Sequence, residues 1–244
     1  MRRYGLIGYP LGHSFSEKYF NAKFKAEGIT DASYQLFELP AISQFPELIA
    51  SQPDLKGLNV TIPHKESVIP YLNALDPVAA RIGAVNVLKF TPEGIIGYNS
   101  DYQGFMQALQ QFFPVSSSAQ ALLLGTGGAS KAVQAALDHL QIPFRVVSRN
   151  PAPNVLTYGQ LNEEIIAAST LIVNTTPLGT YPDTEAAPPI PYHFLSSRQY
   201  LFDLVYNPAE TQFMKKGKAA GASVTNGYAM LCLQAEAAWQ IWNA

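Results

Sequence analysis

Short apolar runs alternate with helical segments along almost the whole chain, and this cadence constrains the fold more than any other feature. Strand-like runs occupy 4–8, 33–39, 57–62 and 84–90, with helical segments at 16–27, 41–51, 65–82 and 101–112. The 65–82 segment carries Val68, Ile69, Leu72, Leu75, Val78, Ala79 and Ile82 at helical spacing, with Pro70 and Pro77 as points of bending or breakage. A Pro-Val-Ser-Ser-Ser turn at 114–118 interrupts the pattern, which then restarts. Strands follow at 119–124, 144–147, 171–174, 200–205 and 223–225, with helices reaching 140, near 159–168 and near 208–220. An apolar helix covers 228–242. Such alternation builds βαβ units and predicts an α/β fold with mainly parallel sheets.

Composition narrows the function classes. With 244 residues the chain has room for two small domains. Hydrophobic residues make up 48% and charged residues 14%, which excludes intrinsic disorder. A net charge of -2 supplies no basic field for a phosphate backbone, so nucleic acid is not an expected partner. Cys232 is the single cysteine, which excludes an internal disulfide. His13, His64, His139 and His193 are scattered, so no metal site is expected. No apolar run is long enough to span a membrane, and the expected location is the cytoplasm.

The second half carries a dinucleotide fingerprint. Gly125-x-Gly127-x-x-Ser130 follows an apolar strand and opens a helix, with Gly128 as an additional glycine. Glycine permits the tight turn and lets backbone N–H groups approach a pyrophosphate at the helix N-terminus. Another strand ends about 20 residues later, where NAD-binding domains place an acidic residue for the ribose 2′-hydroxyl. Here the residues are Ser148-Arg149-Asn150. An arginine in that place suits a 2′-phosphate, so NADP is expected over NAD; a solvated surface arginine is the alternative.

Polar groups interrupt the apolar strands of the first half. Asn59-Val60-Thr61-Ile62-Pro63-His64-Lys65 ends a strand in polar side chains and a lysine. Asn86 lies within an apolar strand, Asp101 follows Asn99-Ser100, and Ser14 and Ser16 precede or open a helix. Asn99 or Asp101 alone reads as a helix N-cap, and so does Ser16. Together at the strand ends of one sheet they suit a polyhydroxylated ligand.

These motifs, in this order, resemble the shikimate dehydrogenase family. The resemblance runs from Tyr4 nearly to the C-terminus. It rests on Ser14-x-Ser16, Asn59-Val60-Thr61-x-Pro63-x-Lys65, Gly83-Ala84-Val85-Asn86, Asn99-Ser100-Asp101 and Gly125-x-Gly127-Gly128-Ala129-Ser130. Asn174-Thr175-Thr176-Pro177-x-Gly179, Asp203-x-Val205-Tyr206-x-Pro208-x-x-Thr211 and Asn226-Gly227-x-x-Met230-Leu231-x-x-Gln234-Ala235 extend it. It implies reversible reduction of 3-dehydroshikimate to shikimate by NADPH, on the route to chorismate and the aromatic amino acids. By motif position, Lys65 and Asp101 are the implied catalytic pair. Ser14, Ser16, Thr61, Asn86, Tyr206 and Gln234 are the implied substrate ligands. Gly125, Thr126, Gly127, Gly128, Ala129 and Ser130 would cradle the pyrophosphate, Arg149 would face the 2′-phosphate, and Ser148 would be a further cofactor-binding residue. Asn174, Thr175, Thr176, Gly227 and Met230 would lie near the nicotinamide half; without the resemblance Met230 reads as core packing.

The implied architecture is a substrate domain, 1–101 plus 228–244, and a Rossmann-like NADP-binding domain, 102–227, in a monomer or homodimer. Three departures from the family pattern stand out. Val87 and Ser100 replace threonines, and Asn150-Pro151-Ala152-Pro153-Asn154 lacks the second basic residue that commonly follows the arginine. Two other readings use the same residues: an NAD-dependent quinate/shikimate dehydrogenase, and a non-catalytic dinucleotide sensor. The first is opposed by the missing carboxylate at 148–150, the second by retention of Lys65, Asp101 and Gln234.

Overall fold

The computed structural model describes residues 1–12, 14–116 and 118–244. His13 of the scattered histidines and Ser117 of the 114–118 turn lie outside the described residues. The chain divides into two compact units, Met1–Gln103 with Gln234–Ala244, and Gly104–Leu233.

The first unit starts with β1 (Arg2–Gly8), α1 (Phe15–Ala26), β2 (Ala32–Glu38), α2 (Phe45–Ser51) and β3 (Leu55–Val60). It continues through β4 (Ala74–Leu75), α3 (Pro77–Ile82), β5 (Val87–Thr91), β6 (Gly94–Tyr98) and the start of α4 (Ser100–Phe112). The sheet order is β2-β1-β3-β5-β6-β4. β1 pairs in parallel with both β2 and β3, so the three strands end at one edge. β5 runs antiparallel to β3 and forms a hairpin with β6, a strand the apolar cadence does not reveal.

The expected helix over 65–82 is not formed. Turns, a 3₁₀ turn at Ile69–Tyr71 and β4 occupy the segment up to Asp76, and only α3 is α-helical. Both ends of α3 are chemically marked. Pro77 needs no backbone donor at the first helical position, and Asp76 accepts hydrogen bonds from the Val78 and Ala79 N–H groups. Gly83, at φ 69°, takes the left-handed conformation that ends the helix. Val68, Ile69, Leu72, Leu75 and Ala79 nevertheless pack on one cluster with Leu58, Val85 and Leu88. Their spacing reflects burial without continuous helix.

The last turns of α8 (Tyr228–Asn243) belong to this unit and complete its second cluster. The Trp242 ring lies 4.8 Å from Tyr4 and 5.3 Å from Phe20, and its indole N–H donates to the Leu88 carbonyl at 3.0 Å. A Cβ on Gly57 would overlap the indole, so glycine is required there.

The second unit contains β7 (Ala121–Leu124), α5 (Gly128–His139), β8 (Phe144–Ser148), β9 (Val155–Thr157) and α6 (Glu163–Ala168). After these come β10 (Leu171–Asn174), β11 (Tyr200–Asp203), α7 (Gln212–Ala219) and β12 (Ser223–Thr225). The strands of its sheet all pair in parallel, in the order β12-β11-β10-β7-β8-β9. Strand order therefore reverses between β7 and β10, and their carboxyl ends diverge into a crevice, as in doubly wound dinucleotide folds. Neither β9 nor the shortness of α6 follows from the apolar pattern. No helix among the described residues is long and apolar enough to cross a membrane.

A buried carboxylate ties the ends of β10 and β11 together. Asp203 is fully buried, and its Oδ1 accepts from Asn174 Nδ2 at 2.9 Å and from the Val205 N–H at 3.0 Å. Its Oδ2 accepts from the Thr211 hydroxyl at 2.5 Å. Burial pushes the carboxyl up to about 6 against these three donors, which act to lower it.

Two consequences can be measured. Trp242→Ala is expected to lower the unfolding free energy by about 3–5 kcal/mol in urea titrations; a loss below about 1 kcal/mol would contradict its place in the core. A carboxyl whose pKa rises on folding favours the native state in acid, and loses that benefit as pH rises from its unfolded value through the native one. From 3.8 to about 6 this amounts to about 3 kcal/mol. Unfolding curves between pH of about 4 and 7 should show wild type losing that much relative to Asp203→Asn, whereas parallel curves would contradict the assignment.

Candidate active site

In the first unit the centre is an ion pair. Lys65 Nζ donates to Asp101 Oδ2 at 2.6 Å, and both side chains are largely buried. Backbone geometry delivers each partner. Beyond β3 the Thr61 N–H bonds the Ile7 carbonyl, and His64 N–H closes a turn onto Thr61. The Lys65 carbonyl then accepts from the Val85 N–H, fixing the lysine at the turn's end. Asp101 sits in the first turn of α4, where a carboxylate is favoured by the helix dipole. The cap itself is Asn99, whose Oδ1 accepts from the Tyr102 N–H at 3.1 Å while its Nδ2 donates to the Ala84 carbonyl. Asp101 is thereby left for Lys65.

Around the pair the polar groups are interlocked. Asn86 Oδ1 accepts from the Ser100 N–H at 2.6 Å, and Asn86 Nδ2 donates to Ser100 Oγ. Ser100 Oγ also donates to Gln234 Oε1 at 3.3 Å, which brings α8 to the group. Ser14 is buried ahead of α1 and makes no side-chain cap. Ser16 lies inside the first turn, so it is not the N-cap; its hydroxyl bonds the buried Tyr34 phenol. Tyr34 in turn donates to Asn59 Oδ1 at 2.7 Å, and burial holds its phenol well above the ordinary range. Thr61 stands half-buried just past β3.

The second unit contains a cleft of about 280 Å³ at the β7/β10 switch point. Gly125, Thr126 and Gly127 border it from β7, Ser148 and Arg149 from β8, and Thr175 and Thr176 from β10. Gly125 has φ 113°, and a Cβ there would crowd Thr175, whose hydroxyl donates to the Leu124 carbonyl. Gly127 and Gly128 differ: a Cβ at either would meet no protein atom within 4 Å. The protein's own packing does not demand glycine at these two positions. Close approach of a ligand to the N-terminus of α5 is the remaining physical reason, and the donor set there fits a pyrophosphate. Arg149 is exposed at the end of β8, and the residues beside it, Ser148 and Asn150, carry no charge. This fits a 2′-phosphate better than a bare ribose hydroxyl.

Other expected cofactor residues have internal work. Ser130 is buried and donates to the Gly125 carbonyl at 2.8 Å, so it closes the glycine turn. Gly128 and Ala129 open α5. Asn174 is fully buried and spent on Asp203 and Thr176. Gly227 packs so closely on the Leu204 backbone that any Cβ would overlap it. Met230 is buried in α8, and Tyr206 is exposed beyond β11. Asn150 lines the cleft beside Arg149, and Tyr158 and Leu178, which the sequence does not single out, line it as well. Tyr158 follows β9, a strand too short for periodicity to register. Asp203 is visible in the sequence only as a motif member without a role. Among the described residues no cluster of His, Cys, Asp and Glu is arranged to hold a metal ion.

Comparison with known proteins points to one family. The family model for the shikimate dehydrogenase substrate binding domain matches residues 6–88. Shikimate dehydrogenase (NADP(+)) of Moorella thermoacetica is 38% identical, over 98% of this chain and 86% of its own. The chorismate mutase/shikimate 5-dehydrogenase fusion protein from Clostridium acetobutylicum superposes with a TM-score of 0.90 at 37% identity, covering 100% of this chain and 91% of that one. Shikimate 5-dehydrogenase from Thermus thermophilus, solved with NADP(H) and shikimate, gives a TM-score of 0.88 at 30% identity, covering 99% and 93%. The ion pair, the interlocked amides, the glycine turn and full-length similarity converge on one conclusion: the chain belongs to the shikimate dehydrogenase family.

Proposed function

We propose that the protein catalyses the reversible, NADP-dependent interconversion of 3-dehydroshikimate and shikimate. The observation that carries this reading is the Lys65–Asp101 pair at 2.6 Å, set among hydroxyl and amide groups that suit a polyol. The unit containing Met1–Gln103 holds the substrate, and the unit Gly104–Leu233 holds the cofactor.

Interconverting a secondary alcohol and a ketone moves a hydride and a proton. A nicotinamide held in the cleft of the second unit would supply or accept the hydride. Lys65 Nζ donates the proton to the carbonyl oxygen in the reducing direction and takes it back in the other. Asp101 holds the ammonium in place through Oδ2. Ser14, Ser16, Thr61, Asn86 and Gln234, all in the first unit, bind the substrate's hydroxyl and carboxylate groups. The N–H groups at the start of α5 and the Arg149 guanidinium hold the pyrophosphate and the 2′-phosphate. Thr175 and Thr176 line the same cleft.

Lys65→Ala tests the proton-transfer role. Turnover with shikimate and NADP⁺ is expected to fall by about 10²–10⁴-fold with the Michaelis constants little changed. Turnover within a few-fold of wild type would remove Lys65 from the chemistry. A rise confined to the shikimate Michaelis constant would reduce it to a binding group.

A further inference from the structure

The β10–β11 junction contains a buried charge that the proposed chemistry does not use. Three donors converge on Asp203: the Asn174 amide, the Val205 N–H and the Thr211 hydroxyl. They come from different parts of the chain. Asn174 ends β10 and precedes the turn whose Thr176 and Leu178 border the cleft. Its Oδ1 accepts from Thr176 N–H at 3.0 Å and Thr176 Oγ1 at 2.6 Å. The Leu178 N–H, in turn, donates to Thr176 Oγ1. Thr211 caps α7 through the Met214 N–H. A continuous relay therefore runs from α7 through Thr211, Asp203, Asn174 and Thr176 to the cleft wall.

Burying an ionisable carboxyl is costly, and it persists only where its partners are fixed. Asn174, fully buried, has both ends of its amide committed within the relay. Its side chain therefore orients the wall, while Thr175 and Thr176 form it.

We propose that Asp203 is a positioning residue for the cofactor, acting through Asn174 to hold the 174–178 turn in the shape that accepts the dinucleotide. The inference rests on the NADP reading of the cleft.

The test is equilibrium binding of NADPH to the full chain, followed by its fluorescence, beside a thermal unfolding curve for each variant. Asp203→Ala removes the common acceptor and should weaken binding about tenfold. Asp203→Asn should remain within about threefold of wild type, because the new carbonyl can still accept from Asn174 and Val205 while Thr211 turns to accept from the new amide. Asn174→Ala should also weaken binding about tenfold, and combining it with Asp203→Ala should add little, since both cut one tie. A merely structural role would lower the unfolding temperature and leave the affinity of the folded protein unmoved; that result overturns the proposal. Losses that multiply in the double variant overturn it as well. Should Asp203→Ala fail to fold, Asn174→Ala decides alone, and wild-type affinity there is contradictory. Failure of the wild type to bind NADPH overturns the cofactor reading and this inference with it. Binding by wild type with unchanged variants overturns the inference only.

Discussion

Parallel pairing is the constraint on which both sites depend. When neighbouring strands run the same way, their carboxyl ends finish along one edge of the sheet, and the residues just past them are delivered together. In the first unit this edge presents the segments after β1 and β3, which carry Ser14, Thr61 and Lys65. In the second it presents the turns after β7, β8, β10 and β11. The antiparallel β5–β6 hairpin departs from that rule and brings the chain round to α4, which supplies Asp101.

Polar groups near both sites are largely satisfied by the protein itself. Among the described residues, no buried side-chain nitrogen or oxygen lacks a hydrogen-bond partner. Ser16, Tyr34, Asn59, Asn86, Ser100 and Gln234 form one chain of such bonds, and Thr211, Asp203, Asn174 and Thr176 form another. Each chain fixes rotamers before any ligand arrives, which reduces the ordering cost at binding. Glycine serves two ends in the same structure. At Gly57 and Gly227 a side chain would collide with the protein, whereas at Gly127 and Gly128 the space is open.

Much of this was legible from residue order. Apolar runs locate β1, β2, β3, β7, β8, β10 and β11 because buried parallel strands are short and continuous in their hydrophobicity. The glycine turn and Lys65 are legible because each places an unusual residue at a strand end. The 65–82 segment misleads because burial on a cluster yields helical spacing whether or not the backbone is helical, while Asp76-Pro77 and Gly83 held the truer signal. β6 carries two glycines and is mostly only half-buried, and β9 has three half-buried residues, so both leave little apolar pattern. The role of Asp203 depends on Asn174, 29 positions away, and no local pattern carries such a pairing. Ser16 illustrates the same point: alone it resembles a cap, and only the fold brings it to Tyr34.

The most direct test of the account is nicotinamide reduction by the purified protein, with shikimate as hydride donor and NADP⁺ and NAD⁺ offered in parallel. Rapid growth of the reduced-nicotinamide absorbance is expected with NADP⁺, with a preference over NAD⁺ of about tenfold or more, the size of one charge-assisted bond from Arg149 to the 2′-phosphate. Absence of reduction with either cofactor, in protein that binds NADPH, would contradict the proposed activity.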